Sequence, residues 1–113
     1  MSLYLFAGIP VDDFDAALAW YGKLLGLDPS HFPNDIEAVW ELAEGRLIYI
    51  VRRPEDAGHA MLTVIVEDLD ALMASVTERG LEPAKQEAYS NGVRKTTYAD
   101  PDGNEISFGE VPR

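Results

Sequence analysis

The sequence predicts an α+β fold built from two tandem copies of one unit, a strand followed by a helix and three further strands. Two observations predict it. The two halves of the chain show strand-like and helix-like segments in the same order. The last segment of the second half has the sequence of a β-hairpin. Residues 11–17 (VDDFDAA) align with residues 66–72 (VEDLDAL). The segments that follow also align, at offsets that drift by a few residues, as short loop insertions would produce.

The closing hairpin covers residues 96–108, where two runs rich in β-branched and aromatic residues flank the sequence DPDGN. Proline presets such a turn, glycine supplies a positive φ, and Asx side chains bond their own backbone. We therefore interpret Asp100 and Asp102 as turn formers and not as a pair of catalytic carboxylates.

The first half begins with an alternating strand over residues 3–9, which Pro10 is expected to end. A helix follows, with Asp12 or Asp13 as its N-cap and Gly26 at its end. Its apolar residues recur at helical spacing; they are Phe14, Ala17, Leu18, Tyr21, Leu24 and Leu25.

Further strands of the first half are predicted over residues 36–42 and 47–52, after a loop with a short extended piece at residues 30–32. The second half starts with a strand over residues 61–66 and a helix over residues 67–80. Three further strands complete the second half: one precedes the closing hairpin and two form it.

The chain has 113 residues, 47% of them hydrophobic, which suits one globular domain with its own core. We expect a single domain over residues 1–113. Its first module would span residues 1–53 and its second residues 58–113. The polar segment 54–58 (PEDAG) is the predicted boundary.

Composition narrows the classes of function. The chain has no cysteine, which excludes disulfides, thiolate metal sites and cysteine nucleophiles. A net charge of −11 with nine Lys and Arg argues against binding to nucleic acid or to an anionic membrane. No run approaches the roughly 18 apolar residues that a membrane span needs, and no basic signal-peptide region is present. We therefore expect a cytoplasmic protein.

The repeat and the closing hairpin resemble the glyoxalase/bleomycin resistance protein/extradiol dioxygenase group, the vicinal oxygen chelate superfamily. The resemblance covers essentially the whole chain. It implies tandem βαβββ modules that form a curved mixed sheet with the helices on the outside. It also implies a homodimer whose concave faces enclose a small organic ligand.

The resemblance further implies four metal-ligand positions, one on the first and one on the last strand of each module. Phe6 and Met61 stand where the family usually has His, and Tyr49 and Ser107 stand where it usually has Glu. None of these side chains is a competent ligand for a divalent ion. We therefore expect no metal and no cofactor, which disfavours a metal-dependent lyase or dioxygenase.

A displaced metal site remains as an alternative. His59 and Glu105 each precede a family position by two residues, so the period of a strand would turn both toward the cleft. The first half cannot match this pair, because its shifted positions are Tyr4 and Leu47. Two ligands fall short of the three or four protein ligands of a normal zinc site.

The predicted cleft combines apolar walls with a few polar groups, which suits a small organic ligand. A two-residue turn at Glu44 and Gly45 would pair Trp40 with Tyr49 and place both rings beside Phe6. Its eight predicted ligand-binding residues are Phe6, Trp40, Tyr49, Met61, Thr63, Lys95, Thr97 and Ser107.

The leading hypothesis is a metal-free protein that sequesters an aromatic or cationic compound in a dimeric cleft. The alternative is a glyoxalase-like lyase or isomerase, or a dioxygenase, with a displaced metal site or with Tyr49 as general acid or base. A third hypothesis is an interaction module that receives a partner protein. Metal stoichiometry separates the first two, and stabilisation by a small molecule separates them from the third.

Overall fold

The structure, a computed structural model, describes residues 3–112. The predicted limits of the two modules at residues 1 and 113 lie outside the described residues. The elements in chain order are β1 (Leu5–Val11), α1 (Phe14–Leu25), β2 (His31–Asn34), β3 (Glu37–Ala43), β4 (Arg46–Arg52), a 3₁₀ turn (Pro54–Asp56), β5 (Met61–Ile65), α2 (Leu69–Glu78), β6 (Lys85–Ala88), β7 (Arg94–Ala99) and β8 (Glu105–Glu110).

The strands confirm the predicted α+β fold and its repeat. They form two mixed four-stranded sheets, with orders β1-β4-β3-β2 and β5-β8-β7-β6. In each sheet the first and last strands of one half lie side by side and run parallel, and the other neighbours are antiparallel. The two halves therefore share one topology. The positions of the module limits along the chain stay a prediction.

Helix α1 begins directly after Asp13, one of its two predicted N-caps, and α2 begins directly after Asp68. Asp13 caps α1 by accepting a hydrogen bond from the Ala16 amide, and Asp68 caps α2 in the same way through Ala71. Gly26 ends α1 in the left-handed conformation, with a φ of 66°, which a residue without Cβ adopts at little cost. Among residues 3–112 no helix is long and apolar enough to cross a membrane.

One apolar core joins the two halves. It lies between the helices and the faces of the sheets that the helices cover. Its largest fully buried side chains include Trp40, Tyr21 and Tyr98. Each sheet therefore has a covered face and an opposite face turned away from the helices, which we call the open face.

Pro10 does not end β1, as the sequence predicted, but lies within it and pairs with Val51. Leu5 donates its amide to Gly45 of the neighbouring loop, so the amides of alternate residues point into the sheet. Position 10 then falls on the outer edge, where a missing N–H costs no ladder hydrogen bond.

The DPDGN turn joins the two halves. Asn104 is fully buried, and its amide nitrogen donates to Pro10 of β1 at 2.8 Å. Its amide oxygen accepts from Gly58 and Ala60 at the entry to β5. The Asp100 carboxylate accepts from Asp102, Asn104 and the Tyr21 hydroxyl. The two aspartates thus form the turn, as predicted, and the turn also orients β1 relative to β5.

Candidate functional site

A row of polar side chains crosses the open face of the second sheet. The register pairs Thr63 with Ser107, Ser107 with Thr97, and Thr97 with Lys85. Paired residues on neighbouring strands point to the same face, so the four side chains form one line. The Thr97 and Ser107 hydroxyls are 2.8 Å apart and share a hydrogen bond.

A cavity of about 260 Å³ opens on this face. Its wall combines apolar side chains, hydroxyl groups and charges of both signs; the residues are Met61, Leu62, Thr63, Lys85, Lys95, Glu105 and Ser107. Four residues that the sequence predicted for ligand binding thus line one cavity, and a fifth, Thr97, is bonded to its wall. Their role in binding stays a prediction.

The charged groups of the cavity are arranged unevenly. Glu87 lies opposite Lys95 on the neighbouring strand, and its Oε1 is 3.8 Å from the Lys85 Nζ and 3.9 Å from the Lys95 Nζ. One carboxylate is therefore shared by two ammonium groups. Glu105 lies beside Met61, two residues along β8 from Ser107 and away from the lysines.

The open face of the first sheet is aromatic instead. Phe6 and Tyr49 make an edge-to-face contact with ring centroids 6.5 Å apart. The tip of the Tyr49 ring lies over Gly8, where an added Cβ would meet its Cζ and hydroxyl at 2.6 Å. Gly8 is required at this place because any side chain would displace the ring.

Trp40 does not belong to this face, so the prediction that it pairs with Tyr49 is wrong. Ala43 pairs with Arg46, directly across the turn, but an irregularity between Glu41 and Ala43 shifts the register. Trp40 consequently lies opposite Ile48 and is fully buried. Its indole nitrogen donates to the Leu27 carbonyl at 3.0 Å, which makes it a core residue.

The predicted site residues are thus divided between two sheets. Phe6 and Tyr49 lie on the open face of the first sheet, and Met61, Thr63, Lys95, Thr97 and Ser107 on that of the second. Between the edge strands β1 and β5 runs a groove of about 610 Å³, largely apolar.

A displaced zinc site would need three or four protein ligands close together. Among residues 3–112, no three His, Cys, Asp or Glu side chains are grouped so that they could hold a metal ion. His59 is exposed and lies before the start of β5. His31 is exposed at the start of β2.

The groups with shifted pKa values lie away from the open faces. Burial, together with the charge and hydrogen bond of Asp100, raises the pKa of Tyr21. Burial also raises the pKa of Tyr98, a core residue. The Asp70 carboxyl has a lowered pKa because Arg94 donates two hydrogen bonds to it. These residues stabilise the fold and do not line the cavity.

Sequence reasoning missed Lys85, Glu87 and Gly8. The period of two along β6 places Lys85 and Glu87 on one face, but the strand has only four residues, and its register depends on the preceding and following loops. Glu105 was predicted to face the cleft but only as a metal ligand, and the structure places it in the cavity wall.

This architecture, two βαβββ units with open faces turned away from their helices, defines a paired-module α+β protein. The chain belongs to the Glyoxalase/Bleomycin resistance protein/Dioxygenase superfamily, whose family model matches residues 4–108. A search of curated proteins gives no match.

Solved structures agree with this assignment. The chain is similar to a glyoxalase / bleomycin resistance protein from Catenulispora acidiphila, with 68% identity and a TM-score of 0.95 over 98% of this chain and 100% of that one. It also resembles an antibiotic binding protein from Streptomyces (24% identity, TM-score 0.77, 99% and 98% of the chains). A bleomycin-binding protein complexed with bleomycin gives 17% identity and a TM-score of 0.79 over 98% and 100%. The last two likenesses show the fold.

Proposed function

We propose that this chain is a metal-free small-molecule-binding protein that sequesters an aromatic or cationic compound in a cleft shared by two copies. The observation that carries the proposal is the cavity on the second sheet, where an exposed Met61 adjoins hydroxyl and charged groups. Apolar walls with a few polar groups are typical of ligand sites. Sequestration needs affinity without chemistry, which suits a site whose family ligand positions hold Phe6, Tyr49, Met61 and Ser107.

Exposed apolar side chains on β1 and β5 support the proposal that two copies of the chain associate. Leu5 and Phe6 are 70% and 53% exposed, and Met61 and Ile65 are 77% and 58% exposed. Leu5 and Ile65 line the open groove between the two edge strands, and Phe6 and Met61 lie on the same strands. Exposed apolar surface at unpaired edges favours association. A partner that covers these strands would also bring an aromatic face against a polar one.

Oligomeric state tests this part of the proposal. Light scattering after size exclusion should give about twice the chain mass of 12.5 kDa, and Ile65→Lys should shift the protein toward a monomer because it places a charge in the apolar groove. Ile36→Lys is the matched control, since Ile36 is also exposed, at 44%, but lies just before β3. A monomeric wild type, or equal effects of both variants, would contradict the shared cleft.

Ligand binding is tested by thermal shift with a panel of cationic, neutral and anionic aromatic compounds, followed by calorimetry. A compound present at about 100 times its Kd should add about 2.7 kcal/mol to the free energy of unfolding. The net charge of −11 attracts cations at long range, so the panel includes cationic aromatic drugs. If no member of a broad panel stabilises the protein, the proposal is wrong.

Metal content distinguishes the enzyme alternative. Protein purified without chelator and without a histidine tag is reloaded with Ni, Zn, Mn or Fe(II), desalted and measured by plasma mass spectrometry. We expect only a small fraction of an equivalent to remain. Stoichiometric retention that His59→Ala abolishes would favour an enzyme with a displaced site.

We also propose that the protein is cytoplasmic, and cell fractionation would test this location.

A further inference from the structure

The donors of the second-sheet cavity are unevenly distributed. At its β6–β7 side, Lys85 and Lys95 share the single carboxylate of Glu87 at 3.8 and 3.9 Å. These distances exceed hydrogen-bond length, so Glu87 does not use the ammonium hydrogens. A lysine ammonium carries three donors and no acceptor. This end of the cavity therefore holds one more positive charge than negative charge, and its N–H groups can donate to a ligand.

The hydroxyl pair beside these lysines adds another donor. Thr97 Oγ1 and Ser107 Oγ are 2.8 Å apart, and either can be the donor. Whichever hydroxyl donates, the other keeps its own hydrogen for a further partner. Ser107 lines the cavity, and Thr97 lies directly opposite Lys85 in the sheet. Ammonium and hydroxyl donors thus converge on one end of the cavity.

The other end differs in chemistry. Met61 is 77% exposed and lies opposite Glu105 on the parallel neighbour β8. A thioether makes favourable contacts with aromatic rings, so this end offers an apolar platform. The Glu105 carboxylate is the negative group at this end. It lies on β8, whereas the two lysines lie on β6 and β7.

We infer that this cavity takes an aromatic compound that carries an anionic group, a carboxylate or an equivalent, with the ring on Met61 and the anion bound by the free N–H donors of Lys85 and Lys95. The inference rests on the proposed function and narrows its ligand. A charge of −11 spread over the whole chain acts at long range and is screened by salt, whereas the groups in contact decide which ligand is retained.

Three probes of one shape but different charge test the inference: 2-naphthoate, 2-naphthamide and 2-(aminomethyl)naphthalene. Binding to the wild-type protein is measured by calorimetry at pH 7 and at low and high salt. We expect 2-naphthoate to bind about tenfold more tightly than the amide, as one charge-assisted hydrogen bond supplies. The amine should bind most weakly, since it meets two ammonium groups.

Lysine variants locate the anion. Lys85→Gln and Lys95→Gln should each weaken binding of 2-naphthoate roughly tenfold and leave the amide unchanged. Lys23→Gln is the matched control, because Lys23 lies exposed on α1 and its loss changes the net charge equally. Met61→Ala should weaken all three probes alike.

Two patterns of binding among the probes would overturn the inference. The first is tighter binding of the amine or amide than of 2-naphthoate, which would favour the Glu105 end. The second is an equal effect of Lys23→Gln and the two cavity variants. That result would mean that the lysines act only through long-range electrostatic attraction and do not contact the anion. If none of the three probes binds while another compound of the panel does, the inference fails and the proposed function stands. If no compound binds, both fail.

Discussion

The open faces of the two sheets differ although their backbones follow one plan. In the first sheet Tyr49 pairs with Val39 on β3, whereas in the second sheet Ser107 pairs with Thr97 on β7. The aligned repeat makes Tyr49 and Ser107 equivalent. One face is aromatic, and the other carries hydroxyls and lysines. Backbone pairing and the core preserve the strand order, so the side chains of the open faces are free to diverge.

The largest expected change in the free energy of unfolding comes from comparing the covered face of the first sheet, which carries Trp40, with its open face, which carries Phe6. Trp40→Ala should lower the free energy of unfolding by about 3–5 kcal/mol, because it removes a fully buried ring and leaves a cavity. Phe6→Ala should cost about 1 kcal/mol or less, since its ring is 53% exposed. Urea unfolding measures both. Similar losses would show that Phe6 is part of the core and that the faces are not distinct.

The junction between the halves gives the second effect. Asn104→Ala should lower the free energy of unfolding by about 3 kcal/mol, because it leaves the amides of Gly58 and Ala60 and the carbonyl of Pro10 without their partner. Asn91→Ala is the control, since Asn91 is exposed and its side chain accepts from the nearby Val93 amide.

Hydrogen exchange on the same variant sharpens the comparison of the two halves. If Asn104 holds them together, protection should fall in both sheets. Loss of protection in the second sheet alone would mean that the halves are stabilised independently.

The aromatic face is tested at Gly8. Gly8→Ala should cost about 1–2 kcal/mol, because its Cβ would lie 2.6 Å from the tip of the Tyr49 ring. In a Tyr49→Ala background the cost should vanish, since the obstructing ring is absent. Gly22→Ala is the control with the opposite sign. Its Cβ meets nothing within 4 Å on α1, and alanine favours a helix by up to about 1 kcal/mol. A cost that persists without Tyr49 would place the conflict elsewhere.

The polar face gives the smallest effect. Thr97→Val should cost about 1 kcal/mol, because it leaves the Ser107 hydroxyl buried without its partner. The double variant Thr97→Val with Ser107→Ala should recover most of this loss, since both polar groups are then removed. Thermal unfolding of the wild type, Thr97→Val, Ser107→Ala and the double variant measures the coupling energy. Additive losses would mean that the two hydroxyls do not depend on each other.

Most of the fold was predictable because its signals are local. The DPDGN turn, the caps at Asp13 and Asp68 and the glycine at the end of α1 each act within a few residues. The same patterns recur in both halves, so each half supported the prediction for the other. The prediction for β1 began two residues too early, at Leu3, and was wrong at Pro10, because a proline that would end an inner strand is tolerated on an edge strand.

The candidate site was less predictable because it depends on register. A single irregularity between Glu41 and Ala43 moves Trp40 from the open face into the core. Lys85 enters the cavity because β6 pairs with β7 in one particular alignment. Pattern reasoning counts residues from a turn, and a shift of one residue reverses every side chain between two faces.

The sequence by itself determined the fold class, the repeat, the family and the non-ligand residues at the family's metal positions. These follow from residue identity and from patterns that span a few residues. Only the tertiary structure decided which side chains share a face, where the lysines meet the hydroxyl pair, and that Asn104 joins the halves. Such juxtapositions come from long-range strand pairing and close packing, whose geometry no local pattern contains.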